Sequence, residues 1–176
     1  MRKIVLSLAI GLSILPGLAQ AAEPPCLTAR EFTDLSSYAL PSIITGTAQR
    51  CSVALPANAF LKRNGPSLAS RYAVAKPAAW PGAKAAFIKL SGGMNADAVN
   101  LFRALPDDKL QPMVDTLVEG LIGQQIPPQR CTMIDETVRL LAPLPPQSTA
   151  RLIALAVGFG SRAGGAKLGK IALCQA

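Results

Sequence analysis

The sequence predicts an all-α fold, a compact single-domain bundle of six to eight short helices tied by two disulfides, and three observations carry that expectation. Apolar residues recur at spacings of three and four behind recognisable helix-start signals. No stretch sustains the period-two alternation, bounded by turns, that a half-buried strand requires. Four cysteines, an even number, follow an N-terminal stretch that reads as an export signal.

That stretch has a short basic head, Met1-Arg2-Lys3, an apolar run over 4–18, and Ala19-Gln20-Ala21. This is the pattern of a secretory leader with a small-residue cleavage site. Gly11, Pro16 and Gly17 interrupt the run, which falls short of the roughly 20 apolar residues of a membrane span. Cys26 follows Glu23-Pro24-Pro25, which does not fit lipid attachment at the cleavage point. The expectation is a leader over 1–21, a helical domain over 22–160 and a Gly-rich basic tail over 161–176. The product is expected to be exported, to the periplasm of a bacterium with the extracellular space as the alternative, with no membrane span in the mature chain.

Cys26, Cys51, Cys131 and Cys174 read as two disulfides, because a zinc site needs closely spaced ligand pairs that these cysteines lack. Three pairings are possible. If 28–50 is one helix, its ends lie about 33 Å apart at 1.5 Å per residue, far beyond the roughly 6 Å that a disulfide tolerates. Cys26 with Cys51 is then disfavoured, although a sharp break at Pro41 would reopen it. The preferred pairing is Cys51 with Cys131 and Cys26 with Cys174.

The first helix begins at a capping box, Thr28 with Glu31, and continues through Phe32, Leu35, Ala39, Ile43 and Ile44, with a kink expected at Pro41. Proline punctuation recurs at 54–56, 104–106 and 142–145, where Pro suits a first helical turn. Between these marks helices are expected at 57–64, 66–75, 78–90, 96–104, 107–125, 129–141 and 146–160. The apolar stripe from Met113 to Ile126 reads as a core helix, and the last two helices as a buried antiparallel hairpin.

The tail contains GFGSRAGGAKLGKI, in which Gly164, Gly169 and Lys170 match the spacing of a phosphate-binding loop. A true P-loop follows a strand and ends in Ser or Thr to hold magnesium. Here Ile171 takes that place after a predicted helix, so neither nucleotide nor any other cofactor is expected. Histidine is absent from the chain, which removes Ser-His-Asp and Cys-His catalysis. Carboxylates remain: Asp115 and Glu119 share a helix face, whereas the adjacent pairs Asp107-Asp108 and Asp135-Glu136 diverge by about 100°. A solvated acidic face explains them without catalysis.

Charge is segregated. Segment 35–96 holds no acid but carries Arg50, Lys62, Arg63, Arg71, Lys76, Lys84 and Lys89. Acids then dominate 97–136, and none occurs from 137 onwards. In one reading the acidic middle pairs with basic neighbours across the fold. In the other, Lys62, Arg63, Arg71, Lys76, Trp80, Lys84 and Lys89 form a face for an anionic partner, an envelope component or an acidic protein. Nucleic acid is not expected as a partner, because no nucleic-acid-binding motif is present. Trp80, within Pro77-Ala-Ala-Trp-Pro-Gly, either displays its ring or closes the end of a helical core. The functional expectation is therefore non-enzymatic binding through a basic face. Carriage of an apolar ligand and carboxylate-dependent hydrolysis are the alternatives.

Overall fold

The computed structural model describes residues 26–92, 96–162 and 172–174. Their helices are α1 (Ala29–Arg50), α2 (Phe60–Ala73), α3 (Lys76–Ser91), α4 (Ala96–Ala104), α5 (Asp107–Gln125), α6 (Cys131–Leu141) and α7 (Pro146–Arg162), with a 3-10 turn at Pro128–Arg130. The fold is all-α, as expected. Two two-residue strands, β1 (Cys26–Leu27) and β2 (Ala172–Leu173), pair in parallel and bring the ends of the described chain together.

The organising element is α1, on which α2, α3, α5 and α7 all pack. Residues 37–42 are buried without interruption, so this part of the helix is enclosed on every side. Its polar positions are small. Ser37, Ser42 and Thr47 are almost fully buried, and Gly46 lets α5 approach closely. The capping box forms at its start: Thr28 N–H donates to Glu31 Oε2 at 2.7 Å, and Glu31 N–H donates to Thr28 Oγ1 at 3.2 Å. The helix continues through Pro41 to Arg50.

Three apolar clusters surround this axis. Tyr38 meets Trp80, Ala83, Leu110 and Val114 between α1, α3 and α5. The C-terminal half of α1 packs with α2, Cys131, Ala142 and Ala150. At its N-terminal end, Phe32 joins Leu27, Ala86 and Val157.

Both preferred disulfides are present. Cys51–Cys131 joins the end of α1 to the start of α6 with Cα atoms 5.5 Å apart, and Cys26–Cys174 ties the ends with Cα atoms 4.9 Å apart. Cys174 N–H also donates to Leu27 O at 2.9 Å.

Two expectations from the sequence are corrected. The segments 57–64 and 66–75 form the single helix α2, which starts later, at Phe60, and runs through Pro66. Gly65, which has no Cβ to clash with the following proline ring, permits this. Pro66 is the seventh residue of α2, so the lost bond concerns the carbonyl of Lys62, an exposed first-turn residue that water can reach. The last two helices do not form a buried hairpin. Helix α6 packs on α2 and α7 on α1, while Met133, Leu140, Leu152 and Leu155 remain exposed. The central position is already filled by α1, so α6 and α7 cover it from outside.

The contact of α1 with α5 yields a pair of opposite expectations. A Cβ at Gly46 would lie 2.8 Å from the backbone oxygen of Glu119, and backbone cannot swing aside. Gly46→Ala is expected to cost about 1–3 kcal/mol through overpacking. At Gly120 a Cβ meets nothing within 4 Å, so Gly120→Ala is expected to gain up to about 1 kcal/mol from helix propensity. Urea denaturation of both variants checks the signs, and equal shifts would refute the close-contact account.

Candidate functional site

The three lysines of α3 are engaged with acids on neighbouring helices. Lys76 Nζ lies 2.5 Å from Asp115 Oδ2 of α5, Lys84 Nζ 2.6 Å from Asp107 Oδ1, and Lys89 Nζ 3.1 Å from Glu31 Oε2 of α1. Two of these acids belong to the acidic middle of the chain, so cross-fold pairing accounts for part of the charge segregation. The Glu31 carboxyl is held below its usual range, first by the Thr28 backbone amide and then by Lys89. Asp107 is lowered chiefly by Lys84.

Around Lys76 the pairing becomes a network. Ser42 Oγ donates to Asp115 Oδ1 at 3.1 Å, and the ammonium of Lys76 sits 4.4 Å from the centroid of the Tyr38 ring. Tyr38 donates to Gln111 O at 3.3 Å. Burial, followed by the charge of Asp115, pushes its phenol well above the ordinary tyrosine range. Asp115 thus clamps three helices, and its carboxylate oxygens both have donors.

Trp80 is not displayed. It is 5 % exposed within α3, its ring centroid 4.8 Å from that of Tyr38, and it closes the α1–α3–α5 core. The Pro77–Gly82 stretch, loop-like in sequence, is helical because Pro77 occupies the opening of α3 and Pro81 follows one turn later.

A different arrangement surrounds α2. Its N-cap, Ala59, has no capping side chain. Asp135 of α6 supplies the missing acceptor: Oδ1 receives the Leu61 N–H at 2.7 Å and Oδ2 the Phe60 N–H at 3.1 Å. An anion at a helix N-terminus is favourable on both hydrogen-bond and dipole grounds. This cross-helix cap sets α6 beside α2, and an open groove runs between them in two lobes.

The larger lobe, about 420 Å³, is lined by residues that include Asn58, Phe60, Arg63, Thr132, Asp135 and Glu136. The smaller, about 250 Å³, includes Asn64, Ser67, Arg71 and Pro143, and Phe60, Asn64 and Arg139 border both. Phe60, Asn64, Ser67 and Arg71 follow one another at spacings of four, three and four, which places them on one face of α2. Arg71 donates to Ala142 O and lies over the Tyr72 ring, while Arg139 is held by Glu136 through Nε at 2.9 Å and Nη2 at 2.5 Å. That pairing lowers the Glu136 pKa and raises that of Arg139.

Of the seven candidate face residues, the groove therefore gathers Arg63 and Arg71. Lys62 is exposed on the adjoining face of α2, and neither Lys62 nor Arg63 has an ion-pair partner among the described residues. Lys76, Lys84 and Lys89 lie on α3, each beside an acid. Arg139 and Asp135 were not singled out in the sequence as site residues. The uncapped start of α2 was the available sign that an acid from elsewhere must dock there.

Among the described residues no three of Cys, Asp and Glu converge as metal ligands would. The loop-like motif Gly164, Gly169 and Lys170 lies outside the described residues, and the element before it, α7, is a helix. Among the described residues no helix is long and apolar enough to cross a membrane. The two disulfides fit a non-cytoplasmic compartment. Comparisons with protein-family models, curated proteins and solved structures found no match.

Proposed function

We propose that this chain is a non-enzymatic binding protein of the bacterial periplasm that holds an anionic partner at the basic face of α2. One observation carries the reading: interhelical pairing engages the α3 lysines, whereas Lys62 and Arg63 stay exposed and unpaired among the described residues, with Arg63 opening onto a groove that also carries Arg71 and Arg139. Arginine suits such a role because its planar fork matches carboxylate and phosphate oxygens. The leader pattern at the N-terminus and the two disulfides support export.

Charge reversal separates a binding face from a mere excess of positive charge. Lys62→Glu with Arg63→Glu places acids near the start of α2, where the helix dipole tolerates them, so the fold is expected to persist. A control, Arg103→Glu with Arg151→Glu, makes the same change in net charge at exposed positions on α4 and α7. On columns of immobilised poly-glutamate and polyphosphate, the first variant is expected to elute at much lower salt than the control. Equal losses in the two variants would leave only net charge and overturn the reading.

A further inference from the structure

The two lobes of the groove differ in the charges that line them. Arg71 and Arg139 both border the smaller lobe, and no carboxylate is among its lining residues. Arg139 shares the charge of Glu136, but Arg71 has no ion-pair partner among the described residues, so the lobe keeps an excess of positive charge that an anion would balance. Arg71 is anchored by Ala142 O and Arg139 by Glu136, yet each guanidinium keeps further N–H donors. The Ser67 hydroxyl and Asn64 amide stand at the same wall.

The larger lobe is balanced instead, because Asp135 and Glu136 line it together with Arg63 and Arg139. A chain bearing an anion at every repeat would bring negative charge against these carboxylates. A ligand with a single anionic group and a neutral remainder would not. Phe60 forms an apolar surface where the lobes meet, and Asn58, Asn64 and Thr132 offer the alternating donors and acceptors that peptide groups need. From Phe60 to Arg71 the face of α2 extends about 16 Å, the length of about five extended residues.

We infer that the groove binds an extended peptide whose carboxylate sits between Arg71 and Arg139, with its neutral body crossing Phe60 towards Thr132 and Asn58. This rests on the reading of α2 as the binding face and names the partner class. The carboxylate is either a chain terminus or an acidic side chain, and both present the same planar group to the arginines.

The experiment uses the full mature protein, labelled with ¹⁵N, and three probes: acetyl-Ala-Ser-Ala-Ser-Ala with a free C-terminus, the same peptide as its C-terminal amide, and acetyl-Ala-Ser-Asp-Ser-Ala amide. Binding of the free acid is expected to shift the Nε–H resonances of Arg71 and Arg139 and to weaken at least tenfold in the amide. Strong binding of the third peptide identifies an acidic side chain as the favoured source, and weak binding identifies the terminus. Arg71→Gln and Arg139→Gln are each expected to abolish the preference for acid over amide. The second leaves the Ala142 contact untouched, so misfolding at the α6 end does not confound it. Equal affinity for acid and amide peptides, or shifts confined to other residues, would overturn the assignment. Should polyphosphate be retained through Lys62 and Arg63 while the acid peptide goes unrecognised, the basic face stands and the carboxylate subsite falls; loss of both removes both.

Discussion

Replacing Cys51 and Cys131 together by alanine is expected to lower the unfolding free energy by about 5 kcal/mol or more. The bridge closes a loop with a sequence separation of 80, and restricting a loop of that size in the unfolded chain contributes about 4.5 kcal/mol in the chain-entropy description. Cys26–Cys174 closes a longer loop, separation 148, for which the same description gives about 5 kcal/mol. Loop entropy alone thus ranks the terminal bridge slightly higher. Packing reverses the order. Cys51 and Cys131 are fully buried in the cluster that joins α1, α2 and α6, so alanines there also leave a void, whereas Cys26 and Cys174 lie half-buried at the edge. Against a total stability of about 5–15 kcal/mol for a domain, the double variant approaches the point of unfolding. Urea melts of Cys51→Ala/Cys131→Ala and Cys26→Ala/Cys174→Ala test the ranking. A larger loss in the terminal pair would show that loop length outweighs core packing here.

The disulfide pairing was legible in part. An unbroken helix between Cys26 and Cys51 keeps them apart and removes one of three pairings, and the choice between the other two rested on the end of the first helix meeting the start of a later one. The helical class was legible because capping and apolar spacing are local. What governs the centre of the bundle is less local. The sequence stripe of Met113 to Ile126 and the apolar run of α7 are richer in large aliphatic residues than α1, yet α1 is the helix enclosed on all sides. The relevant signal is the uncharged stretch 35–49 with its small polar residues, because a surrounded helix needs neighbours to come close more than it needs leucines. Gly46 beneath Glu119 is the sharpest instance.

Proline misleads at Pro66, where the sequence predicts a break between two helices, whereas the helices expected over 78–90 and 107–125 already run through Pro81 and Pro112. At 66, 81 and 112 it stands at the sixth or seventh residue of its helix, where only a first-turn carbonyl loses its partner. A boundary residue and a tolerated second-turn residue look alike in sequence. The charge pattern was informative, but two readings drew on the same residues, and only the packing of α3 against α1 and α5 distributes them. Among the described residues Lys76, Lys84 and Lys89 are ion-paired across helices, and Lys62 and Arg63 are not. The contribution of Arg139 was hidden because its place at the same lobe as Arg71 depends on Asp135 capping a helix 74 residues earlier in the chain.

Trp80 supplies the sharpest test of that distribution, because its two readings predict opposite outcomes. A displayed ring could be truncated at little cost. Enclosed by Tyr38, Ala83, Leu110 and Val114, Trp80→Ala is expected instead to cost about 3–5 kcal/mol, with emission of the native tryptophan blue-shifted and shielded from iodide. Trp80→Phe is expected to lose far less. Among the described residues the indole Nε1–H has no partner at hydrogen-bond geometry, so phenylalanine leaves no acceptor orphaned in the core. The indole nevertheless lies near enough to Asp107 to help lower its pKa, after the larger effect of Lys84. Trp80→Phe should therefore raise the Asp107 pKa towards its ordinary value while Lys84 keeps it below, a shift that a carboxyl-carbon NMR titration resolves. A mild stability loss in Trp80→Ala would detach this tryptophan from the α1–α3–α5 core and return α3 to the surfaces open to a partner.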